Sequence, residues 1–151
     1  MSEVRYRDAM PSDAAAIIEF QLAMARETEE LELDREILTR GVHAVFANPS
    51  LGRYFMAENG GVVAGSLMIT YEWSDWRNGM VWWIQSVFVA PAHRRRGIYA
   101  GLYAHVRAMV DADPSIRGIR LYVDDRNRSA QEVYTRLGMN GEHYKVFEWM
   151  K

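Results

Sequence analysis

The chain has 151 residues, of which 49% are hydrophobic and 25% are charged, and its formal net charge is −2. This length and composition are typical of one globular domain with a full hydrophobic core, so we predict a single domain over residues 1–151. A protein that coats nucleic acid usually carries a basic excess. The charge balance therefore argues against a nucleic-acid partner.

The sequence contains no cysteine. Disulfides, thiolate metal sites and cysteine nucleophiles are thereby excluded, and we predict no metal site. The first residues, MSEVRYRDAMPSD, are polar and charged, which is unlike a signal peptide. No apolar run approaches the ~20 residues that a membrane-spanning helix needs. We therefore expect a cytoplasmic protein with no membrane partner.

The first half of the chain is predicted to form a strand, two helices and two further strands. The short alternating segment EVRYRDA is typical of a strand. The next segment, PSDAAAIIEFQLAMARET, has helical spacing after an N-cap at Ser12 or Asp13, and DREILTRGVHAVFAN predicts a second helix. The strands RYFMAEN and VVAGSLMITYEW are separated by Gly60-Gly61, which is a strong hairpin signal.

The second half is predicted to alternate strands and helices. A turn at Asn78-Gly79 leads into MVWWIQSVFVAP, the longest apolar strand, and a helix then starts near Arg95 or Arg96. The remaining predicted elements are the strand IRGIRLYVDD, the helix RSAQEVYTRLG and the strand EHYKVFEWMK. Because strands follow one another both through hairpins and through helical crossovers, the sheet should be mixed. The crossover helix should make the two strands beside it parallel.

Three arginines, Arg94 to Arg96, stand directly before Gly97 at the predicted start of that helix. A helix start has unpaired N–H groups and the positive end of the helix dipole, so arginine is electrostatically unfavourable there unless an anion binds. The segment is therefore a candidate phosphate cradle. The alternative is a solvated, charged helix start. The Walker pattern and the dinucleotide pattern G-x-G-x-x-G are both missing.

Two motifs in this half resemble those of the GCN5-related N-acetyltransferases. VFVAPAHRRRGIYAGLY is similar to the family's motif A, with Arg94, Gly97 and Tyr99 on the positions of Q/R-x-x-G-x-G/A. Tyr99 is larger than the small residue that is usual there. NRSAQEVYTRLGM is similar to motif B, whose positions fall on Asn127, Ala130, Tyr134, Gly138 and Met139. The predicted element order also resembles the family fold over essentially the whole chain.

The resemblance implies an α+β fold and acetyl-CoA as co-substrate. The implied sheet is twisted, mixed and mostly antiparallel, has six to seven strands flanked by about four helices, and is splayed between the fourth and fifth strands. Three parts of the chain would hold the cofactor: strand backbone for the pantetheine arm, the arginine-glycine turn for the pyrophosphate, and motif B. The implied residues are Val87, Phe88, Val89, Arg94, Arg95, Arg96, Gly97, Ile98, Tyr99, Ala100, Asn127, Ala130 and Tyr134.

The resemblance also implies catalytic roles. Tyr134 corresponds to the general acid that protonates the departing thiolate of coenzyme A. In many relatives a glutamate two residues before the apolar triplet is the general base, but Gln85 occupies that position and cannot accept the proton. We predict that Glu72 takes the role, directly or through water. The alternatives are that Tyr134 only packs against its helix and that Glu72 faces solvent.

In the family the acceptor generally lies against the first two helices and the hairpin of the third and fourth strands. An acidic run, RETEELELDRE, and four tryptophans in YEWSDWRNGMVWW fall in these segments. Carboxylates with aromatic walls suit a small cationic amine. The alternative is a solvated turn beside core tryptophans. The predicted acceptor-binding residues are Glu30, Glu72, Trp73 and Gln85.

The leading hypothesis is an N-acetyltransferase that transfers acetyl directly from acetyl-CoA to a primary amine of a small molecule or peptide in a ternary complex. An acetyl-cysteine intermediate is excluded because there is no cysteine. A second hypothesis is a non-catalytic module that only binds or senses acyl-CoA. A third, nucleic-acid binding through the arginines, is disfavoured by the net charge. A homodimer through the aromatic-rich C-terminal segment is compatible with the sequence.

Overall fold

The computed structural model describes residues 3–151, and within them the chain forms five strands and four α-helices. It divides into two compact units, the first ending at Arg120 and the second spanning Leu121–Lys151. The first unit contains β1 (Val4–Asp8), α1 (Ala14–Glu29), α2 (Arg35–Ala47), β2 (Arg53–Asn59), β3 (Val62–Ser74), β4 (Gly79–Val89), α3 (Ile98–Ala112) and β5 (Ile116–Arg120). The second contains α4 (Arg128–Arg136).

The strands of the first unit form one sheet in the order β1-β2-β3-β4-β5. The first three neighbouring pairs are antiparallel, and β4 and β5 are parallel. The chain passes from β4 to β5 through α3, because parallel neighbours need a crossover. The prediction of a mixed, mostly antiparallel sheet is confirmed, and the described residues form four α-helices, as predicted.

Helices cover both faces of this sheet. On one face, Tyr54 and Met56 of β2 belong to a buried cluster with residues of α1 and α2. On the other face, the fully buried Phe55 meets the ring of His105 in α3 edge-on at 5.5 Å. Because side chains alternate along a strand, β2 supplies both cores with successive residues. The sheet is therefore held as the middle layer of the unit.

Two irregularities shape β4. Met68 pairs with Ser86 and Ile69 pairs with Ile84, so Gln85 is an extra residue in the ladder and forms a β-bulge. The parallel ladder with β5 ends where Trp83 pairs with Arg120, whereas β4 continues to Val89. Residues 84–89 thus extend beyond the ladder with β5. This is the splay that was predicted between the fourth and fifth strands.

The prediction that the third helix starts near Arg95 or Arg96 is wrong, since α3 starts at Ile98. Arg95 has a φ of 65° and Gly97 a φ of 76°, and both values lie in the left-handed region that an α-helix excludes. Before them, Pro91–His93 forms a single 3₁₀ turn. The arginines therefore lie in a folded turn in front of the helix rather than in its first turn.

The prediction of six to seven strands is also too high. The segment 142–151, predicted as a closing strand, has no strand pairing, and Tyr144, Phe147 and Trp149 are at least 84% exposed. Alternating aromatic and polar residues favour extended backbone, but a strand exists only when its N–H and C=O groups pair with a neighbour. The sequence pattern does not show whether a neighbouring strand is available for pairing.

In the second unit, α4 is defined by caps at both ends. The Asn127 side chain accepts a hydrogen bond from the Ala130 amide at 3.2 Å, which caps the N-terminus. At the C-terminus Gly138 has a φ of 89°, and the Met139 amide donates to the Tyr134 carbonyl at 3.0 Å. This confirms the predicted helix and its end at Gly138.

The longest helix, α1, has 16 residues. Within residues 3–151 no helix combines the length and the apolar character that crossing a bilayer requires.

Candidate functional site

The first part of the site is the turn between β4 and α3. After the 3₁₀ turn, the left-handed residues Arg95 and Gly97 redirect the chain so that Gly97 becomes the N-cap of α3. The N–H groups of a helix's first turn have no carbonyl four residues earlier, so they point out of the helix end. The side chains of Arg95 and Arg96 are exposed beside them. Positive charge and open amides therefore meet at one place, as an anion site requires.

Arg94 differs from its two neighbours because its side chain is fixed. Its Nε donates to the Val89 carbonyl at 2.9 Å, and a terminal nitrogen donates to the Glu27 carboxylate at 2.7 Å. The guanidinium also lies 5.4 Å from the ring centre of Phe88. The backbone amide of Arg94 donates to the Pro91 carbonyl at 3.3 Å. In this structure Arg94 ties the turn to β4 and α1.

The second part is a row of polar side chains on the sheet face that carries α1 and α2. Alternation along β3 puts Thr70 and Glu72 on the same face as Met68, which packs against the α1–α2 cluster. Across the strand pair, Gln85 donates to the Thr70 hydroxyl at 2.7 Å. Gln21 of α1 donates to the Ser86 hydroxyl at 2.9 Å. Because of the bulge, the side chains of the adjacent residues Gln85 and Ser86 both lie on this face.

Glu72 ends this row and has two donors. Its Oε1 accepts from the Trp83 indole N–H at 3.0 Å, and its Oε2 accepts from the Arg120 guanidinium at 2.6 Å. The carboxylate is fixed in position and its charge is balanced by Arg120. Each oxygen still has a lone pair, so the carboxylate can accept a hydrogen bond from a further donor. The alternative that Glu72 merely faces solvent is therefore wrong.

The acidic run largely serves the first unit's own structure. Glu27 pairs with Arg94, Glu32 with Arg26, and Glu36 with Arg40. The side chain of Asp34 accepts from the amides of Glu36 and Ile37 and caps α2. The predicted acceptor residue Glu30 is the exposed C-cap of α1, with a left-handed φ of 51°.

The four tryptophans of the β3–β4 hairpin divide into two pairs. Trp82 is buried, and Trp83 donates to Glu72. The other two lie near the hairpin tip, where Trp73 is 59% exposed and Trp76 is 91% exposed. Only the latter pair offers aromatic surface to an approaching molecule, so the alternative of core tryptophans holds for Trp82 alone.

The motif B residues lie on the second unit. Asn127 caps α4, Ala130 is in its first turn, and Tyr134 is in its last turn. Ala130 and Tyr134 are four residues apart, so they share one face of the helix. All three are half-buried within the chain.

Several contacts of the site carry no signal in the sequence. The pairs Arg94–Glu27 and Arg120–Glu72 join residues that are 67 and 48 positions apart. The hydrogen bond between Gln21 and Ser86 spans 65 positions. Only the packing of α1 against the sheet and the pairing of β5 with β4 bring these partners together.

The strand order, the bulge and splay of β4, and the turn before α3 define an α+β fold built on a mixed five-stranded sheet. Residues 15–139 match the model of the Acetyltransferase (GNAT) family. The chain belongs to that family, a group of N-acetyltransferases, which confirms the resemblance of its two motifs. No curated protein matches the sequence.

Solved structures agree with this assignment. A possible acetyltransferase from Clostridium difficile 630 has 38% sequence identity and a TM-score of 0.92, with 98% of this chain and 97% of that chain covered. The aminoglycoside N-acetyltransferase AAC(6')-Iy in complex with CoA has 16% identity and a TM-score of 0.81, with 100% and 97% covered. An aminoglycoside acetyltransferase from an uncultured soil metagenomic sample, in complex with sisomicin, has 15% identity and a TM-score of 0.75, with 98% and 95% covered. The last two show the shared fold alone.

Proposed function

We propose that this protein transfers the acetyl group of acetyl-CoA directly to a primary amine in a ternary complex. The observation that carries the proposal is the end of β4. There, backbone extends beyond the ladder with β5 and leads straight into a turn with exposed arginines and the N-terminus of α3. A ligand with a long amide-containing arm and a pyrophosphate matches both features. Coenzyme A has that chemistry.

The cofactor would lie along β4 and its following turn. Backbone groups of Val87 to Val89 would bond the pantetheine arm as an added strand would, since residues 84–89 lie beyond the β5 ladder. The amides from Arg95 to Ala100 would hold the pyrophosphate, with the side chains of Arg95 and Arg96 adding charge. Asn127 and Ala130 would contact and accommodate the arm, as the motif implies.

The reaction needs a neutral amine and a leaving thiolate. The amine nitrogen attacks the thioester carbon, a C–N bond forms, and the C–S bond breaks as the tetrahedral intermediate collapses. The sulfur leaves as the coenzyme A thiolate, and the Tyr134 hydroxyl donates a proton to it. The nitrogen loses one proton to a base, so the products are the amide and the free thiol of coenzyme A.

Glu72 is the base we propose, acting directly or through one water. The bonds from Trp83 and Arg120 hold its carboxylate in place on the sheet face that carries α1 and α2. Gln85 lies on that face too, bonded to Thr70, and would orient the acceptor or the water by its amide. A fixed carboxylate beside a fixed amide is suited to taking a proton from a defined direction.

The acceptor would be a small cationic amine bound at Glu30 and the polar row of β3 and β4. Trp73, whose side chain lies on the opposite sheet face from Glu72, would contact it only around the hairpin tip. Exposed aromatic surface at Trp73 and the exposed carboxylate of Glu30 support the choice of a cation. The site is not strongly charged, because Arg120 already balances the charge of Glu72. The protein with sisomicin bound shares this fold, which makes amino sugars a reasonable first class of acceptor to assay.

The test is release of free thiol from acetyl-CoA in the presence of amines, repeated with Tyr134→Phe. Removal of the hydroxyl should lower kcat by about a hundredfold or more while leaving coenzyme A binding within a few fold. Tyr144→Phe is the matched control, because Tyr144 is 85% exposed and should leave kcat unchanged. Equal kcat in Tyr134→Phe and the wild type would remove Tyr134 from the chemistry.

The second candidate function is a module that binds acyl-CoA without turnover. Gln85, where many relatives carry a base, is the observation that favours it. Tight binding of coenzyme A with no thiol release for any amine would establish this alternative.

A further inference from the structure

Arg94 connects three elements through one side chain. It bonds the carbonyl of Val89 at the end of β4, pairs with Glu27 near the end of α1, and lies over the ring of Phe88. That ring in turn packs against Phe20 of α1 at a centroid distance of 5.4 Å. The aromatic pair and the ion pair therefore hold α1 against the same end of β4.

These contacts separate Arg94 from the other two arginines of the turn. Its guanidinium already has a carboxylate partner and a carbonyl partner, although all three arginines are exposed. Arg94 is also the residue from which the chain enters the left-handed turn at Arg95. A change in the position of Arg94 would move the amides that follow it.

We propose that Arg94 and Glu27 form a clamp that positions the anion-binding turn for the pyrophosphate of coenzyme A. Arg94 acts as a positioning residue through its contacts with Val89 and Glu27. The inference rests on the proposed function, because it concerns how the same turn holds its anion. Its unexpected consequence is that Glu27, an acidic residue, supports the binding of an anionic ligand.

The sign of the Glu27 effect distinguishes the clamp from simple electrostatics. If Arg94 bound the pyrophosphate directly, removal of the Glu27 charge would free Arg94 and reduce repulsion, so coenzyme A would bind more tightly. If Arg94 positions the turn, removal of that charge loosens Arg94 and weakens binding. The two roles therefore predict opposite changes in one dissociation constant.

The experiment measures the dissociation constant of coenzyme A by titration calorimetry for the wild type, Glu27→Gln, Arg94→Gln and the double variant. The pair is about two-fifths exposed on each side, so we expect Glu27→Gln to weaken binding by about three- to fivefold. Arg94→Gln also loses the bond to Val89 and should weaken binding by about tenfold or more. The double variant should bind about as weakly as Arg94→Gln, because both changes break one clamp.

Two controls make the result specific. Glu29→Gln removes an exposed charge from the same helix end and should leave the dissociation constant within twofold. Acetyl-pantetheine, which has the arm but no pyrophosphate, should bind to Glu27→Gln with the affinity of the wild type, because this change leaves the bond from Arg94 to Val89 available. A general loss of structure would weaken both ligands instead.

Tighter or unchanged binding of coenzyme A in Glu27→Gln would overturn the clamp. Additive losses in the double variant, or an equal loss of coenzyme A and acetyl-pantetheine binding in Glu27→Gln, would overturn it as well. A wild type that does not bind coenzyme A would overturn the proposed function instead, so the two failures are distinguishable.

Discussion

Arg7 and Asp13 form the most buried ion pair of the described residues. Arg7 donates to both oxygens of Asp13 at 2.7 and 3.0 Å and to Glu58 at 2.6 Å, and the Asp13 and Arg7 side chains are 7% and 14% exposed. Asp13 also accepts the amide of Met10 at 2.7 Å, which fixes the chain just before α1. The Arg7 guanidinium therefore joins β1, β2 and the start of the first helix. The sequence indicated Asp13 only as a candidate N-cap.

We predict that Asp13→Asn destabilises the fold by about 3 kcal/mol, because it leaves Arg7 buried with an incomplete set of partners. Urea unfolding at pH 7 measures the change. Asp8→Asn is the matched control: its pair with Arg53 is largely exposed and should contribute less than about 1 kcal/mol. Equal effects of the two substitutions would contradict the special role of the buried pair.

The same pair predicts the direction of acid sensitivity. The hydrogen bond from Arg7 lowers the pKa of Asp13 below its ordinary value, against the opposing effect of burial. A lowered folded-state pKa contributes stability above the ordinary pKa of aspartate, and this contribution is lost as pH falls through the folded-state pKa. The free energy of unfolding of the wild type should therefore fall more steeply below about pH 4 than that of Asp13→Asn. Parallel pH profiles for the two proteins would contradict this.

At the scale of elements, β4 shows how a regular pattern and an irregular structure differ. Its apolar run predicted a long strand, and β4 does pair on both sides at Trp82 and Trp83, but the central strand of the sheet is β3. The bulge at Gln85 and the end of the β5 ladder at Trp83 are not visible in that run. They depend on how the two neighbouring strands align, which is a property of the sheet.

At two glycines that lie in helices, replacement by alanine should change the stability of the protein in opposite directions. A Cβ at Gly41 in α2 would meet nothing within 4 Å, whereas a Cβ at Gly101 in α3 would overlap the hydroxyl of Tyr6. The Tyr6 ring is stacked on His105, which limits its freedom to move away. Gly41→Ala should therefore stabilise the protein by up to about 1 kcal/mol through helix propensity. Gly101→Ala should destabilise it by about 1–3 kcal/mol through overpacking.

Thermal unfolding of the two variants, followed by circular dichroism, checks this pair of predictions. Each serves as the control for the other, since both make the same change inside a helix. Stabilisation by Gly101→Ala would show that β1 does not approach α3 as closely as the structure has it.

At the scale of the whole molecule, the positions of the charges matter more than their sum. The net charge is only −2, and three of the six carboxylates of the acidic run are neutralised locally by arginine. Long-range attraction of a cation by this protein should therefore be weak. Selection of the acceptor would depend on short-range groups, above all on Trp73 and Glu30.

We predict that a panel of amines will show higher kcat/KM for small cationic acceptors than for neutral or acidic ones. Trp73→Ala should raise the acceptor KM by about three- to tenfold through loss of the cation–π contact, with little change in the KM for acetyl-CoA. Trp76→Ala, which removes the more exposed ring at the hairpin tip, is the control and should have a smaller effect. A preference for acidic acceptors would contradict the cationic class.

Much of the fold was predictable because it depends on local signals. Helical spacing, the Gly60-Gly61 turn and the N-cap region at Asp13 located α1, α2 and the β2–β3 hairpin, and each agrees with the structure. The start of α3 was misplaced, because three arginines fit a helix by propensity and only the left-handed backbone at Arg95 excludes them. The closing strand failed because strand pairing is not local.

The sequence by itself determined the family, since the two motifs hold their positions through short spacings along the chain. It also located the anion-binding turn, because an arginine cluster before glycine and a helix is a local arrangement. Only the tertiary structure decided what each arginine does. Arg94 is engaged by Glu27, which is 67 positions away. The physical reason is that an ion pair between distant residues forms only where packing has already brought their helices and strands together.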